Sequence, residues 1–99
     1  MANGSYETVK IERDGQHTGL TWVILNRPEK RNAMSPQLHF DMANVLDELE
    51  SDATTKVLVL TGAGEAWCAG QDLKLYFREL DNKPAERARA SWASHYWLP

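Results

Sequence analysis

One cysteine, Cys68, is all the chain holds, so no disulfide can form within it, and a lone thiol fits a reducing compartment. Nor does any apolar run approach the roughly 20 residues that span a bilayer. The opening Met-Ala-Asn-Gly-Ser-Tyr-Glu lacks the basic head and apolar run of a secretory signal, so a cytoplasmic protein with no membrane attachment is expected. Basic excess is missing as well. Eleven Lys and Arg stand against 14 Asp and Glu, a net charge of -3, and the pI is near 5.5. That balance counts against a nucleic-acid partner, whose phosphates call for a basic face. His17, His39 and His95 are too scattered for ligand spacing, so no metal site is expected. Gly62-Ala63-Gly64 lacks the third glycine of a dinucleotide fingerprint and the Lys-Ser/Thr of a P-loop. Internal repeats and low-complexity tracts are absent, and Pro, Ser and Gly show no surplus of the kind that marks disorder.

What remains is a composition of 42% hydrophobic and 25% charged residues over 99 positions, that of a globular domain or a piece of one. A chain this short buries only a modest share of its unfolded surface, whereas a parallel α/β layout needs helices on both faces of its sheet. The expectation is therefore a piece of a larger domain.

Thr8 to Glu12 alternates Val9 and Ile11 with polar neighbours, Asp14-Gly15 starts a turn, and Leu20 to Leu25 is a second β-rich run. The two predict a hairpin, loosened by Gln16-His17-Thr18-Gly19. After the polar loop Asn26 to Ala33, Ser35-Pro36 offers an N-cap followed by proline at the first helical position. Leu38, Met42, Val45, Leu46 and Leu49 then recur at spacings of three and four, predicting one apolar stripe on a helix that ends near Glu50. Val57-Leu58-Val59-Leu60 shows no alternation, the pattern of a parallel strand covered on both faces. Thr61 to Gly64 breaks it. A short helix carrying Leu73, Tyr76, Phe77 and Leu80 on one face is predicted next, closed by Asn82-Lys83-Pro84, and Ala85 to Trp97 reads as a further helix. An aromatic-rich helix end and an unpaired sheet edge would leave apolar surface exposed.

Trp67-Cys68-Ala69-Gly70-Gln71-Asp72-Leu73-Lys74 follows the buried-looking strand and its Gly-rich turn, where an α/β sheet commonly presents its chemistry. Gly70 permits close approach of backbone to a ligand, and a helix starting near Asp72 leaves its first N–H groups without intrahelical partners. Such groups attract developing negative charge, which makes the segment a candidate oxyanion cradle. Asp72 is read as the N-cap of that helix rather than as a base. Cys68 has no histidine close in sequence and is read as packing.

The stretch Leu25-Asn26-Arg27-Pro28-Glu29-Lys30-Arg31-Asn32-Ala33-Met34, the run Val57 to Gly64, and Ala69-Gly70-Gln71-Asp72-Leu73, in this order, resemble the crotonase (enoyl-CoA hydratase/isomerase) superfamily. Within it, Trp67, Leu73-Lys74 leading into Tyr76-Phe77-Arg78-Glu79, and Ala90-Ser91-Trp92 look most like the hydroxycinnamoyl-CoA (feruloyl-CoA) hydratase/lyases. The resemblance implies an α/β fold in which residues 1–99 are the N-terminal fragment of a single crotonase-like domain. That fragment holds the first ββα units of a spiral, laid out as hairpin, helix, parallel strand, short helix and further helix. The implied substrate is an acyl-CoA thioester, with coenzyme A part of the substrate and no separate cofactor. For the complete enzyme a homo-oligomer, trimer or hexamer, is implied.

By the same resemblance, the backbone N–H of Gln71 is one of two donors that hold the thioester carbonyl. Ala69, Gly70, Asp72, Leu73 and Lys74 belong to the substrate-binding segment around it. Gln71 stands where the hydratase/lyases tend to carry methionine. Lys30 is expected at the phosphate or adenine side of coenzyme A, against the rival of a solvated loop residue, while Arg27 and Arg31 are expected to be ordinary exposed cations. The Tyr76 hydroxyl is expected to meet a phenolic substrate, against the rival of core packing with Phe77 and Leu73. The second donor, a glycine, and the catalytic glutamate and a tyrosine are expected beyond Pro99. Residues 1–99 alone are then expected to be inactive, since losing one oxyanion donor costs about 2.7 to 4 kcal/mol of transition-state stabilisation and no acid/base group remains. The implied reaction is hydration and cleavage of a feruloyl-CoA-type thioester to an aromatic aldehyde and acetyl-CoA. Enoyl-CoA hydration or isomerisation is one alternative, and a truncated chain that only binds coenzyme A or another subunit is the other.

Overall fold

The computed structural model describes residues 6–70, 72 and 83–97. Strand β1 (Val9–Arg13) pairs antiparallel with β2 (Leu20–Leu25), in register from Val9 opposite Leu25 to Arg13 opposite Thr21. The hairpin expected from the alternation is present, its first strand displaced by one residue. Asp14 shapes the connection: Oδ1 accepts the N–H groups of Gln16 (2.8 Å) and His17 (2.9 Å), and Oδ2 accepts the Trp22 indole N–H (3.1 Å). The loop ends at Gly19, with φ +91°, where a β-carbon would stand 2.9 Å from the Lys56 side chain. The Gly19 carbonyl accepts from the N–H groups of Lys56 and Val57, docking the hairpin loop onto the start of the third strand.

Helix α1 (Pro36–Glu50) begins as the sequence predicts, with Ser35 in an extended conformation and its hydroxyl accepting the Leu38 N–H at 3.2 Å. Leu38, Met42, Val45 and Leu49 are buried against Val9, Val23 and Leu25 of the hairpin, while Leu46 of the predicted stripe is only half-buried. His39, Asp41 and Ala43 are also buried, so more of the helix circumference is covered than one stripe requires. The further helix, α2 (Pro84–Trp97), packs against α1 and buries Ala90 and Ala93 completely. Asp41 anchors α1 to the chain entering β1, accepting the Thr8 N–H (3.0 Å) and hydroxyl (2.7 Å) and the Gln37 amide (2.8 Å). Tyr6 adds a second tie, donating its hydroxyl to Glu48 Oε1 at 2.7 Å.

Strand β3 (Val57–Gly62) lies parallel to β2, from Leu20 opposite Val57 to Leu25 opposite Gly62, so β2, α1 and β3 form a β-α-β unit in a sheet of order β1-β2-β3. The strand is not covered on both faces as its apolar run predicts. Val57 is 54% exposed and Leu58 36%, β3 being an edge strand of the sheet among the described residues. Leu60, directly opposite Val23, does pack on the core. Trp67 and Trp92 are exposed as well, in keeping with the apolar surface anticipated for this chain.

Arg13 closes the far end of the sheet, donating from Nη1 to Thr21 and Thr55 (2.7 Å each) and pairing with Asp52 at 2.7 Å. Asp52 in turn accepts the hydroxyls of Thr54 (2.8 Å) and Thr55 (2.7 Å). No helix of the described residues is long and apolar enough to cross a membrane.

Candidate functional site

Where β2 ends, Arg27 leads into a single 3-10 turn, Pro28–Lys30, and the chain then passes through two left-handed residues, Arg31 (φ 52°) and Asn32 (φ 58°). Asparagine tolerates that region better than most residues because its short side chain can bond to nearby backbone. Asn32 does so here. Fully buried, it accepts the Arg27 N–H on Oδ1 at 2.8 Å, and its Nδ2 donates to the carbonyls of Ala63 (2.9 Å) and Ala66 (2.7 Å). One side chain thus joins the loop after β2 to the loop after β3.

That junction leaves no room at Gly62. A β-carbon there would lie 2.6 Å from Asn32 Nδ2 and 2.8 Å from the Ala66 carbonyl oxygen, and would also strike the Trp67 carbonyl. Beyond it, the chain comes alongside the residues that follow Asn32. Ala69 N–H donates to the Arg31 carbonyl (3.0 Å), Met34 N–H to the Gly70 carbonyl (2.7 Å), and Asp72 N–H to the Met34 carbonyl (2.8 Å). Gly70 has φ +105°, and a β-carbon there would meet nothing within 4 Å, so glycine is required by conformation and not by crowding.

Arg27 fastens this pairing from beneath. Its Nη1 donates to the Ala33 carbonyl and its Nη2 reaches Asp72 Oδ2 at 3.1 Å, the two charged side chains being only 10% and 12% exposed. The expectation of an ordinary exposed cation at Arg27 is therefore corrected: the residue is 8% exposed because its guanidinium fills the gap between two strands of backbone that need a donor and a counter-charge. Asp72, read in the sequence as an N-cap, has its carboxylate engaged by Arg27; the helix it was expected to cap lies outside the described residues.

Of the other positions singled out in the sequence, Ala69 and Gly70 stand in the pairing just described and Lys30 is exposed on the 3-10 turn. Gln71, Leu73, Lys74 and Tyr76 lie outside the described residues. Cys68 is a free thiol, half-buried and packed on the core, as expected. Arg31 is exposed, as expected. With Pro28, Gly64, Glu65 and Ala66 it lines a pocket of about 470 Å³ between the two loops. Asn32, which joins the two loops of the candidate site, was not singled out in the sequence. Its signal was an asparagine ending a polar loop just before a helix cap, a position suited to left-handed backbone.

The arrangement is a backbone-built cradle: two loops locked together by Asn32, with the segment around Gly70 held in place by Met34 and Arg27. A model of the enoyl-CoA hydratase/isomerase family matches residues 15–97. The chain belongs to the enoyl-CoA hydratase/isomerase family. To hydroxycinnamoyl-CoA hydratase-lyase of Pseudomonas fluorescens it is 54% identical over 97 residues, which is 95% of this chain and 34% of that protein. To 1,2-epoxyphenylacetyl-CoA isomerase of Escherichia coli (strain K12) it is 46% identical over 55 residues, 56% of this chain and 21% of that protein. Among solved structures, Pseudomonas aeruginosa AtuE superposes with a TM-score of 0.73 at 31% identity, covering 88% of this chain and 33% of that one. This enoyl-CoA hydratase/isomerase chain thus spans no more than 34% of the length of these relatives, and its α/β fold superposes on that of AtuE.

Proposed function

We propose that the chain supplies the thioester-holding part of a crotonase-type enzyme that hydrates a hydroxycinnamoyl-CoA thioester and cleaves the product to an aromatic aldehyde and acetyl-CoA. The observation that carries this reading is the 54% identity to a hydroxycinnamoyl-CoA hydratase-lyase, sustained over 95% of the chain. The locked pairing of residues 31–34 with Ala69, Gly70 and Asp72 supports it, since a carbonyl-polarising N–H acts only if its backbone is fixed before the substrate arrives.

In this reading the Gln71 N–H and a second donor outside residues 1–99 polarise the thioester carbonyl. Water adds to the conjugated double bond, and a retro-aldol step then breaks the carbon–carbon bond of the β-hydroxy thioester, the resulting enolate being stabilised in the same hole. Lys30 faces the nucleotide end of coenzyme A, and Tyr76 meets the phenol. Asp72 is assigned no role as a base; its Oδ2 is paired with Arg27. Coenzyme A belongs to the substrate, and the complete enzyme is a cytoplasmic homo-oligomer, a trimer or hexamer.

The likeness to 1,2-epoxyphenylacetyl-CoA isomerase over 55 residues favours a second reading, in which the same cradle serves an isomerisation of an acyl-CoA thioester. Ultraviolet monitoring of feruloyl-CoA and p-coumaroyl-CoA, with an aliphatic 3-enoyl-CoA beside them, separates the two. The assay compares residues 1–99 alone with a version completed by the rest of the Pseudomonas fluorescens relative. Aldehyde and acetyl-CoA from the completed version only is the expected result. Isomerisation of the 3-enoyl-CoA without aldehyde from feruloyl-CoA selects the second reading, and turnover by residues 1–99 alone overturns the mechanism.

A further inference from the structure

We infer that the Arg27–Asp72 ion pair is a positioning element for catalysis, holding Asp72 in place against the Ala33–Met34 segment next to the proposed carbonyl-holding residue; this rests on the function proposed above. Gln71 itself lies outside the described residues, but both of its covalent neighbours are held. The Gly70 carbonyl and the Asp72 N–H are both taken by Met34, at 2.7 and 2.8 Å. The Asp72 carboxylate is taken by Arg27 at 3.1 Å, and the same guanidinium holds the carbonyl of Ala33, the residue before Met34. One planar, rigid fork therefore spans the two backbone segments that Met34 clips together.

The energetics favour orientation over stability as the reason for the pair. Its side chains are 10% and 12% exposed, and taking two charges out of water offsets most of what their attraction returns. An apolar pair of similar volume would hold the fold as well. It would not fix the Asp72 side chain against the Ala33 carbonyl, and so would not tie together the two segments that Met34 pairs, because it lacks directional bonds. Preorganised N–H groups lose their value when misplaced by small distances, so a slack cradle should lower the rate of the chemical step while leaving binding of the coenzyme A handle largely intact.

The test uses the completed enzyme described above with Arg27→Lys, which keeps the charge but not the fork, and Asp72→Asn, which keeps an acceptor but not the charge. Turnover of feruloyl-CoA, thermal unfolding and the infrared carbonyl stretch of a bound, non-reacting coenzyme A thioester are read in each. The expected result is a fall in kcat on the order of 100-fold with KM changed by less than about threefold, and a weakened carbonyl shift in both variants. Unchanged kcat and carbonyl shift with a lowered Tm would overturn the inference, leaving the pair purely structural. If one variant fails to fold, the other decides by the same criteria. Absence of both turnover and a carbonyl shift in the unsubstituted enzyme would instead sink the functional reading, and the inference with it.

Discussion

Gly62 leaves vacant the space that the Asn32 amide occupies: a β-carbon at position 62 would lie 2.6 Å from Asn32 Nδ2. The two positions depend on each other, since Asn32 reaches Ala63 and Ala66 only by passing over a residue without a side chain. Because the same contacts hold the loop that leads to Gly70, damage at either position should reach the cradle. The stability measurements below refer to the completed polypeptide, followed by denaturant unfolding unless stated.

Gly62→Ala should destabilise by about 1 to 3 kcal/mol, as overpacking against fixed backbone does. Two of the atoms the new methyl meets are carbonyl oxygens of Ala66 and Trp67, which cannot swing away as a side-chain end would. An unchanged midpoint would show that the two loops are not locked.

Asn32→Asp keeps the acceptor for the Arg27 N–H but sets a carboxylate against the carbonyls of Ala63 and Ala66. The expected loss is about 1 to 3 kcal/mol from the unsatisfied carbonyls, and more from the buried charge. Protonating the new carboxylate should recover part of it, so the variant should gain stability relative to the parent as pH falls.

Tyr6 has its pKa pushed up to about 12, chiefly by burial and then by the hydrogen bond to Glu48. A folded-state value above the ordinary 10.0 means that its contribution is whole below pH 10 and disappears as pH rises towards 12. Ultraviolet titration should show one tyrosine ionising late, and Tyr6→Phe should remove that step together with its share of the alkaline loss of stability.

Asp14 and Asp52 are both held well below the ordinary carboxylate value. For Asp14 the Trp22 indole is the main cause, and for Asp52 the Thr55 hydroxyl. Depressed folded-state values give stability that is complete above the ordinary 3.8 and is lost as pH falls below it. Asp52→Asn should flatten the acid limb of the stability profile, with the loop before β3 loosening first in hydrogen exchange. An identical acid limb in the variant would refute this.

Val57 and Leu58 stand exposed, 54% and 36% accessible, on β3, which is an edge strand of the sheet among the described residues. Residues 1–99 alone should self-associate in sedimentation experiments at micromolar concentration, and Val57→Lys should suppress it. A monodisperse unsubstituted chain would count against this.

What the sequence determined by itself was whatever depends on near neighbours. Alternation around Val9 and Ile11 marked the hairpin, Ser35-Pro36 marked the start of α1, and the Leu38–Leu49 spacing marked its buried side, because strand period, capping and helical period act over a few residues. Ordered motifs around Arg27 and Gly70 were enough for the family as well. Tertiary structure alone decided the rest. Arg27 looked like one more loop cation until the chain brought Asp72, 45 residues later, against it. Asn32 was silent until the crossover through α1 laid the loop after β3, 31 to 34 residues away, on its amide. The apolar run of β3 promised cover on both faces, yet cover is a property of what else packs on a strand, and only the assembled sheet showed Val57 exposed on an edge strand among the described residues. Hydrogen bonds and burial between distant segments depend on a chain path that no local pattern encodes.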